Sequence, residues 1–138
     1  MKIGFIALVF MLLLSHLARA NEFSFIDGDY DMQLRIGETT FNDEVALVTR
    51  KIHFMKAELT GSVTVPDVFK SELTGKVQYA VWAGIYFINF TILARENGQE
   101  FKVHYKGQFN TANITQMEGT ATLEDGKLLG NFIAVKRQ

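Results

Sequence analysis

Apolar and polar residues alternate one by one along most of this chain, and no other feature of the sequence restricts its fold as strongly. Tyr30, Met32 and Leu34 alternate with acidic, amide and basic residues, and the segment 101–109 repeats the pattern. Successive side chains of a β-strand point to opposite faces, so a period of two predicts strands with one buried face. Such runs predict roughly seven or eight strands, at about residues 26–36, 44–49, 52–65, 69–81, 85–95, 100–109, 115–124 and 127–136.

Turn residues separate these runs where a meander needs them. Asn97-Gly98 and Asp125-Gly126 are pairs that accept the positive φ angles of type I′ turns, which join antiparallel neighbours. Pro66 marks a further strand end, because proline has no N–H to donate to a sheet.

The segment 40–49 allows two interpretations. Thr40 to Asp43 fits the capped start of a short helix, whereas Val45, Leu47 and Thr49 alternate as in a strand, and we interpret the segment as a strand. No long helical pattern occurs elsewhere. The sequence therefore predicts an all-β fold, an antiparallel up-and-down meander closed into a small barrel, with a β-sandwich as the alternative.

Six glycines have an apolar residue both two positions before and two positions after them. They are Gly28, Gly61, Gly75, Gly107, Gly119 and Gly130. Because those neighbours share one face of a strand, glycine here replaces an inward side chain, at about 0.5–1 kcal/mol relative to alanine. Either the strands bend sharply at these positions or the missing side chains leave room for a ligand. Bending is the favoured explanation, and the two are compatible.

The first twenty residues predict export. Lys2 precedes an apolar run from Ile3 to Leu14, and Ala18-Arg19-Ala20 fits a signal-peptidase site. We therefore assign residues 1–20 to a signal peptide and residues 21–138 to one soluble domain without a stable membrane anchor. Since the chain has no cysteine, and small secreted animal domains usually rely on disulfides, the composition favours a bacterial periplasmic or secreted protein.

The charge balance argues against nucleic acid and anionic lipid as partners. Without Lys2 and Arg19, 12 basic residues remain beside 15 acidic ones, a net charge of about −3. Such a chain has no basic field to attract phosphates.

The two ends of the domain resemble those of the calycins, the group of lipocalins, fatty-acid-binding proteins and avidins. Gly28-Asp29-Tyr30 is similar to the G-x-W motif that begins their first strand, with Tyr30 where the tryptophan would stand. Lys136 or Arg137 ends the last strand, as a basic residue does in many calycins. The resemblance implies an up-and-down barrel with an internal ligand site.

No motif for catalysis or metal binding reaches comparable strength. Asp27, Asp29 and Asp31 have the spacing of a calcium loop, but Met32 occupies the position that requires glycine. His53 and His104 lack the partners of a zinc site, and no serine lies in a G-x-S-x-G turn. We therefore expect a protein that is not an enzyme and that holds no metal or cofactor.

Two functional hypotheses remain. The first is a carrier whose inward side chains line a pocket for a small, largely apolar molecule. The predicted ligand-binding residues are Tyr30, Met32, Leu34, Val63, Val77, Tyr79, Phe90, Ile92, Tyr105 and Phe109.

The second hypothesis is an interaction module, such as an inhibitor or envelope component, that acts through the unbroken apolar run from Tyr79 to Ile88 and could form a homodimer. Its predicted contact residues are Trp82, Tyr86 and Phe87. The alternative for this run is structural, with Trp82 and Tyr86 folded over one open end of the barrel as a plug.

Overall fold

The computed structural model of the protein describes residues 23–66 and 69–138, and these form eight antiparallel strands and one short 3-10 helix. The signal-peptide prediction lies outside the described residues. The 3-10 helix spans Ser24–Ile26. The strands are β1 (Gly28–Ile36), β2 (Thr39–His53), β3 (Lys56–Val65), β4 (Phe69–Ala80), β5 (Ile85–Glu96), β6 (Gln99–Phe109), β7 (Gln116–Leu123) and β8 (Leu128–Lys136). No helix of the described residues is long and apolar enough to cross a bilayer.

Each strand pairs with the next one in sequence, and the last strand returns to the first. β8 pairs with β1 from Tyr30 opposite Lys136 to Arg35 opposite Asn131. The sheet therefore closes into a barrel in the order β1 to β8. This confirms the predicted meander and excludes the β-sandwich. The segment 40–49 lies within β2, as predicted.

One predicted turn type is confirmed and the other is wrong. Asn97 and Gly98 have φ angles of 52° and 77°, as a type I′ turn requires. In the β7–β8 turn only Gly126 has a positive φ, 84°. Its N–H donates to the Leu123 carbonyl at 2.9 Å, and the Asp125 carboxylate accepts the Lys127 N–H at 2.9 Å. That side-chain bond supports a longer turn than the dipeptide alone predicts.

The inward glycines lie where neighbouring strands approach closely. A Cβ on Gly75 would be 2.6 Å from the Phe90 Cα, and one on Gly119 would be 2.5 Å from the Gly107 Cα. At Gly61 it would meet the Ala46 carbonyl carbon at 2.9 Å. At five of the six glycines the neighbouring backbone already occupies the space of the missing side chain, and at Gly28 the Lys136 side chain does. The glycines therefore serve tight winding of the sheet and do not create a cavity.

Aromatic side chains fill the barrel. The rings of Phe90 and Tyr105 stack with centroids 4.8 Å apart, and Phe132 meets Tyr105 edge-on at 5.3 Å. A ligand-sized cavity would leave parts of its wall accessible to a water molecule, yet Tyr30, Val63 and Tyr105 are buried with at most 2% exposed. The centre of the barrel is solid.

The 3-10 helix seals one end of the barrel, which we call the closed end. The Tyr30 hydroxyl donates to the Ile26 carbonyl at 2.8 Å, and the Lys136 ammonium donates to the Phe25 carbonyl at 2.7 Å. Tyr86 packs edge-on against Phe25 at 4.9 Å. These contacts involve the residues on which the resemblance to calycins rests.

The predicted plug is only half correct. Tyr86 does cover the closed end, but Trp82 lies in the β4–β5 turn, residues 81–84, with 87% of its surface exposed. Phe23 and Ile26 of the helix segment are fully buried, Phe25 is partly buried, and together they already seal this end. Nothing remains there for Trp82 to cover.

Replacing Gly75 tests the explanation of the glycines. We expect Gly75→Ala to lower the free energy of unfolding by about 2–3 kcal/mol, because its methyl group collides with rigid backbone. Gly37→Ala is the matched control: Gly37 has φ 61° and open space around it, so only about 1 kcal/mol of backbone strain is expected. Urea unfolding measures both, and equal losses would contradict the packing explanation.

Candidate functional site

We call the end of the barrel opposite the 3-10 helix the mouth, and no helix of residues 23–66 and 69–138 covers it. Inward-facing strand residues continue to this end, where they are no longer fully covered. The partly exposed apolar side chains are Ile36, Phe41, Ala94, Phe101, Leu123 and Leu129. Their position follows from the same two-residue period that builds the core.

The barrel wall is interrupted at the mouth because several ladders end early. Pairing of β4 with β5 stops at Leu73 opposite Ile92, and pairing of β6 with β7 stops at Val103 opposite Leu123. The β5–β6 hairpin, residues 93–102, therefore extends past both neighbours. On the other side of the mouth, β2 pairs with β3 only from Glu44 onward, so residues 39–43 pair with β1 alone.

A hollow of about 480 Å³ lies in the mouth. Its lining residues are Phe101, Lys102, Leu123, Glu124, Asp125 and Leu129. Three of them are apolar and form the floor, while the three charged residues lie at the rim. A concave apolar surface with a few polar groups is typical of small-molecule sites, and the volume is in their usual range.

Two other hollows lie on the outer wall. One of about 410 Å³ is bordered mainly by outward-pointing residues of β8, β1 and β2, and its lining also includes Pro66 and the buried Met32 and Asp43. The other, of about 530 Å³, is bordered by residues of β5, β6 and β7. Neither opens between the inward-facing side chains of the mouth.

The ten predicted ligand-binding residues all belong to the core cluster or pack against it. Nine are buried, and the tenth, Tyr79, is half-buried beside Tyr86 at the closed end, with ring centroids 4.5 Å apart. Leu34 and Ile92 are the most exposed of the nine, at 6% and 4%, and they border the mouth. Contact between these ten residues and a ligand stays a prediction, and the packing restricts direct access to the side of the mouth.

The three predicted interface residues do not share one surface. Trp82 extends from its turn, Phe87 points outward from β5, and Tyr86 faces inward at the closed end. Only Trp82 and its neighbour Val81 form an exposed apolar tip.

Sequence reasoning missed Asp43, which is only 7% exposed and faces inward from β2. It is paired with buried Met32 on β1 and is followed on the same face by Val45. The Asp43 Oδ1 atom has no hydrogen-bond partner. Since Asp43 continues the inward-facing row of Val45 and Leu47, a predicted strand that began one residue earlier would have shown it as an inward charge.

Burial of the Asp43 carboxylate raises its pKa to about 6, because the charged form loses its hydration. The pKa of the Tyr105 hydroxyl is also raised, first by burial and second by the nearby charge of Asp43. The charge of Asp43 is therefore close enough to affect the Tyr105 hydroxyl.

Other acids and histidines with metal-like spacing are engaged elsewhere. Asp27 accepts the Thr49 N–H and hydroxyl at 2.7 Å each, and Asp31 pairs with Arg137 at 2.6 Å. The His104 Nδ1 atom lies 2.7 Å from the Thr91 hydroxyl. Within the described residues, no three candidate ligands come close enough together to hold a metal ion.

Among solved structures with a similar fold are three redesigned β-barrels. One matches with a TM-score of 0.56 and 16% identity, over 83% of this chain and 94% of its own. The barrel mFAP0, bound to DFHBI, matches with a TM-score of 0.53 and 18% identity, over 82% of this chain and 99% of its own. The barrel mFAP1, also bound to DFHBI, matches with a TM-score of 0.53 and 15% identity, over 82% of this chain and 95% of its own.

At these identities the similarity shows the fold alone. No protein-family model and no curated protein matches the sequence, so membership in the calycins stays a prediction.

The pH dependence of stability tests the burial of Asp43. Its folded-state pKa of about 6 exceeds the ordinary 3.8, so the folded protein holds this proton more tightly than the unfolded chain. The free energy of unfolding should decrease as the pH rises from about 4 through about 6, by about 3 kcal/mol. We expect Asp43→Asn to remove this decrease in urea unfolding, whereas the exposed control Asp29→Asn retains it. A decrease that persists in Asp43→Asn would contradict the assignment.

Proposed function

We propose that the protein is an exported, non-enzymatic β-barrel that binds a small, largely apolar ligand at its mouth. The observation that carries the proposal is the contrast between the two ends of one solid barrel. The closed end is sealed by the 3-10 helix, whereas the mouth presents an apolar hollow of about 480 Å³.

The mouth suits an amphiphilic molecule. Phe101, Leu123 and Leu129 supply apolar contact area, which contributes roughly 25 cal/mol per Å² before the cost of association. Lys102 and Glu124 stand at the rim, with their charged atoms 4.0 Å apart, where a polar part of the ligand would stay in water. Two barrels of similar fold are bound to DFHBI, which makes a barrel of this size a reasonable host for a small molecule.

Export and the lack of catalysis rest on the sequence. Residues 1–20 have the pattern of a signal peptide. Because the sequence has no recognisable nucleophile or metal motif, a binding function is favoured over catalysis.

Substitutions in the mouth test the proposal. We expect 1-octanol to bind the purified protein, and Phe101→Ser and Leu129→Ser to weaken that binding at least about fivefold, because each removes apolar area from the hollow. The control Leu93→Ser changes an outward residue of the same β5–β6 hairpin. Isothermal titration calorimetry measures the affinities, and thermal melting checks that each variant is folded. Binding that none of the mouth substitutions changes would overturn the site.

A second function is favoured by the exposure of Trp82. The β4–β5 turn is anchored beside the β2–β3 turn by the Tyr79 N–H, which donates to the Met55 carbonyl at 2.8 Å. Phe54 is also exposed in that neighbouring turn. Tryptophan is a common anchor of protein interfaces, so this end of the barrel could bind a partner protein or a second copy of the chain.

Trp82→Ala separates the two functions. If the turn is an interface, the variant should lose any assembly that native mass spectrometry detects in the wild type, while 1-octanol binding at the mouth is unchanged. A wild type that is monomeric at all concentrations would count against a homodimer.

A further inference from the structure

Two neighbouring turns at the closed end of the barrel hold apolar side chains in water. The Tyr79 N–H donates to the Met55 carbonyl, and this bond joins the β4–β5 turn to the β2–β3 turn. We call residues 50–56 and 80–84, which contain the two turns, the paired turns. Their exposed large apolar side chains are Ile52, Phe54, Val81 and Trp82.

The β2–β3 turn has an ordered backbone that directs side chains away from the barrel. The ladder between β2 and β3 shifts register between Lys51 and His53, so Ile52 lies in a β-bulge. A bulge changes the direction in which a side chain points, and Ile52 is exposed. In the turn itself, the Met55 N–H donates to the His53 Nδ1 atom at 3.2 Å. Hydrogen-bonded backbone therefore holds these apolar side chains in water.

The paired turns are cationic, although the chain as a whole is slightly acidic. They contain Arg50, Lys51 and Lys56 and no acid. The nearest acid in the sequence is Glu58, which accepts a hydrogen bond from the Arg50 Nε atom at 3.0 Å. Three cationic residues less this one acid still leave a net charge of +2. Exposed apolar groups and positive charge therefore occur together at this end.

The shape of the paired turns suits a fluid surface better than a protein interface. Protein interfaces usually place their anchors in well-packed pockets, but none of the three hollows described above is lined by a residue of the paired turns. Trp82 instead projects into water. Tryptophan is enriched at membrane–water interfaces, because its ring is apolar and its N–H is polar, and nearby lysines attract anionic headgroups.

We infer that the paired turns dock the barrel on an anionic lipid surface, with Trp82 and Phe54 among the headgroups and Lys56 beside the phosphates. The attraction is local, so it is compatible with the negative net charge of the domain. At the opposite end, the charged residues that line the hollow of the mouth are Lys102, Glu124 and Asp125. Because acids predominate there, the mouth faces away from the lipid and stays accessible from water. This inference does not depend on a ligand at the mouth.

Vesicles of known composition test the inference. Trp82 is the only tryptophan of the chain, so its fluorescence reports directly on the paired turns. We expect vesicles made of equal parts phosphatidylglycerol and phosphatidylcholine to shift its emission to shorter wavelengths, because the ring leaves water. In vesicle sedimentation, binding should be at least about tenfold stronger than to pure phosphatidylcholine, and salt at about 1 M should weaken it.

Substitutions identify the surface that binds. Trp82→Ala and Phe54→Ser should each weaken sedimentation with the anionic vesicles at least about tenfold, because each removes exposed apolar area. Lys56→Gln should weaken it about fivefold. The matched controls are Ile133→Ser, an exposed apolar residue of β8, and Lys70→Gln, at the mouth end of β4. Each control should change binding less than about twofold, and thermal melting confirms folding.

The outcomes separate a lipid surface from other occupants of the paired turns. A wild type that does not bind anionic vesicles overturns the inference, and so does binding that survives both Trp82→Ala and Phe54→Ser. A dimer in native mass spectrometry that Trp82→Ala abolishes, without vesicle binding, would assign the turns to a second copy and also overturn it. Binding lost in Phe101→Ser but retained in Trp82→Ala would place the lipid at the mouth, with the same consequence. The affinity for 1-octanol is measured separately, so a failure of the proposed function is recognised independently.

Discussion

The pairing of β8 with β1 is the constraint on which the rest of the molecule depends. Eight strands enclose an interior just wide enough for side chains. The strands can wind this tightly only where glycine lets neighbouring backbones approach, as at Gly75 and Gly119. Because closure leaves so little volume, Phe90, Tyr105 and Phe132 fill it completely, and any ligand must be held at an end of the barrel.

The two ends differ in how their backbone groups are hydrogen-bonded. At the closed end, carbonyls of the 3-10 helix accept hydrogen bonds from the side chains of Tyr30 and Lys136. The Asp27 carboxylate accepts one from the Thr49 N–H. At the mouth, the ladders stop at different heights and leave hairpins that pair only within themselves. Asp43 lies next to the point where the β2–β3 ladder ends, and its side chain is only 7% exposed.

The period of the sequence was sufficient to predict seven of the eight strands within about four residues at each end, because register and burial share the two-residue repeat. The prediction for β2, 44–49, was too short, since this strand spans Thr39–His53. It could not predict that the interior is solid, since the free volume depends on which large side chains meet across strands distant in sequence, such as Phe90 and Phe132. Asp43 was missed because the predicted β2 began one residue after it. The alternative role of Trp82 as a plug was wrong, because composition does not show that the helix segment already seals that end.

The joining of distant segments at the closed end has a consequence for how the molecule forms. Arg137 and Asp31, which pair across the β1–β8 seam, are 106 residues apart in the sequence. Topologies with such high contact order fold slowly. Until β8 docks, β1 exposes an unpaired edge along its full length, which is open to mispairing with another chain. The risk of mispairing is therefore greatest before closure, because the finished barrel has no free strand edge.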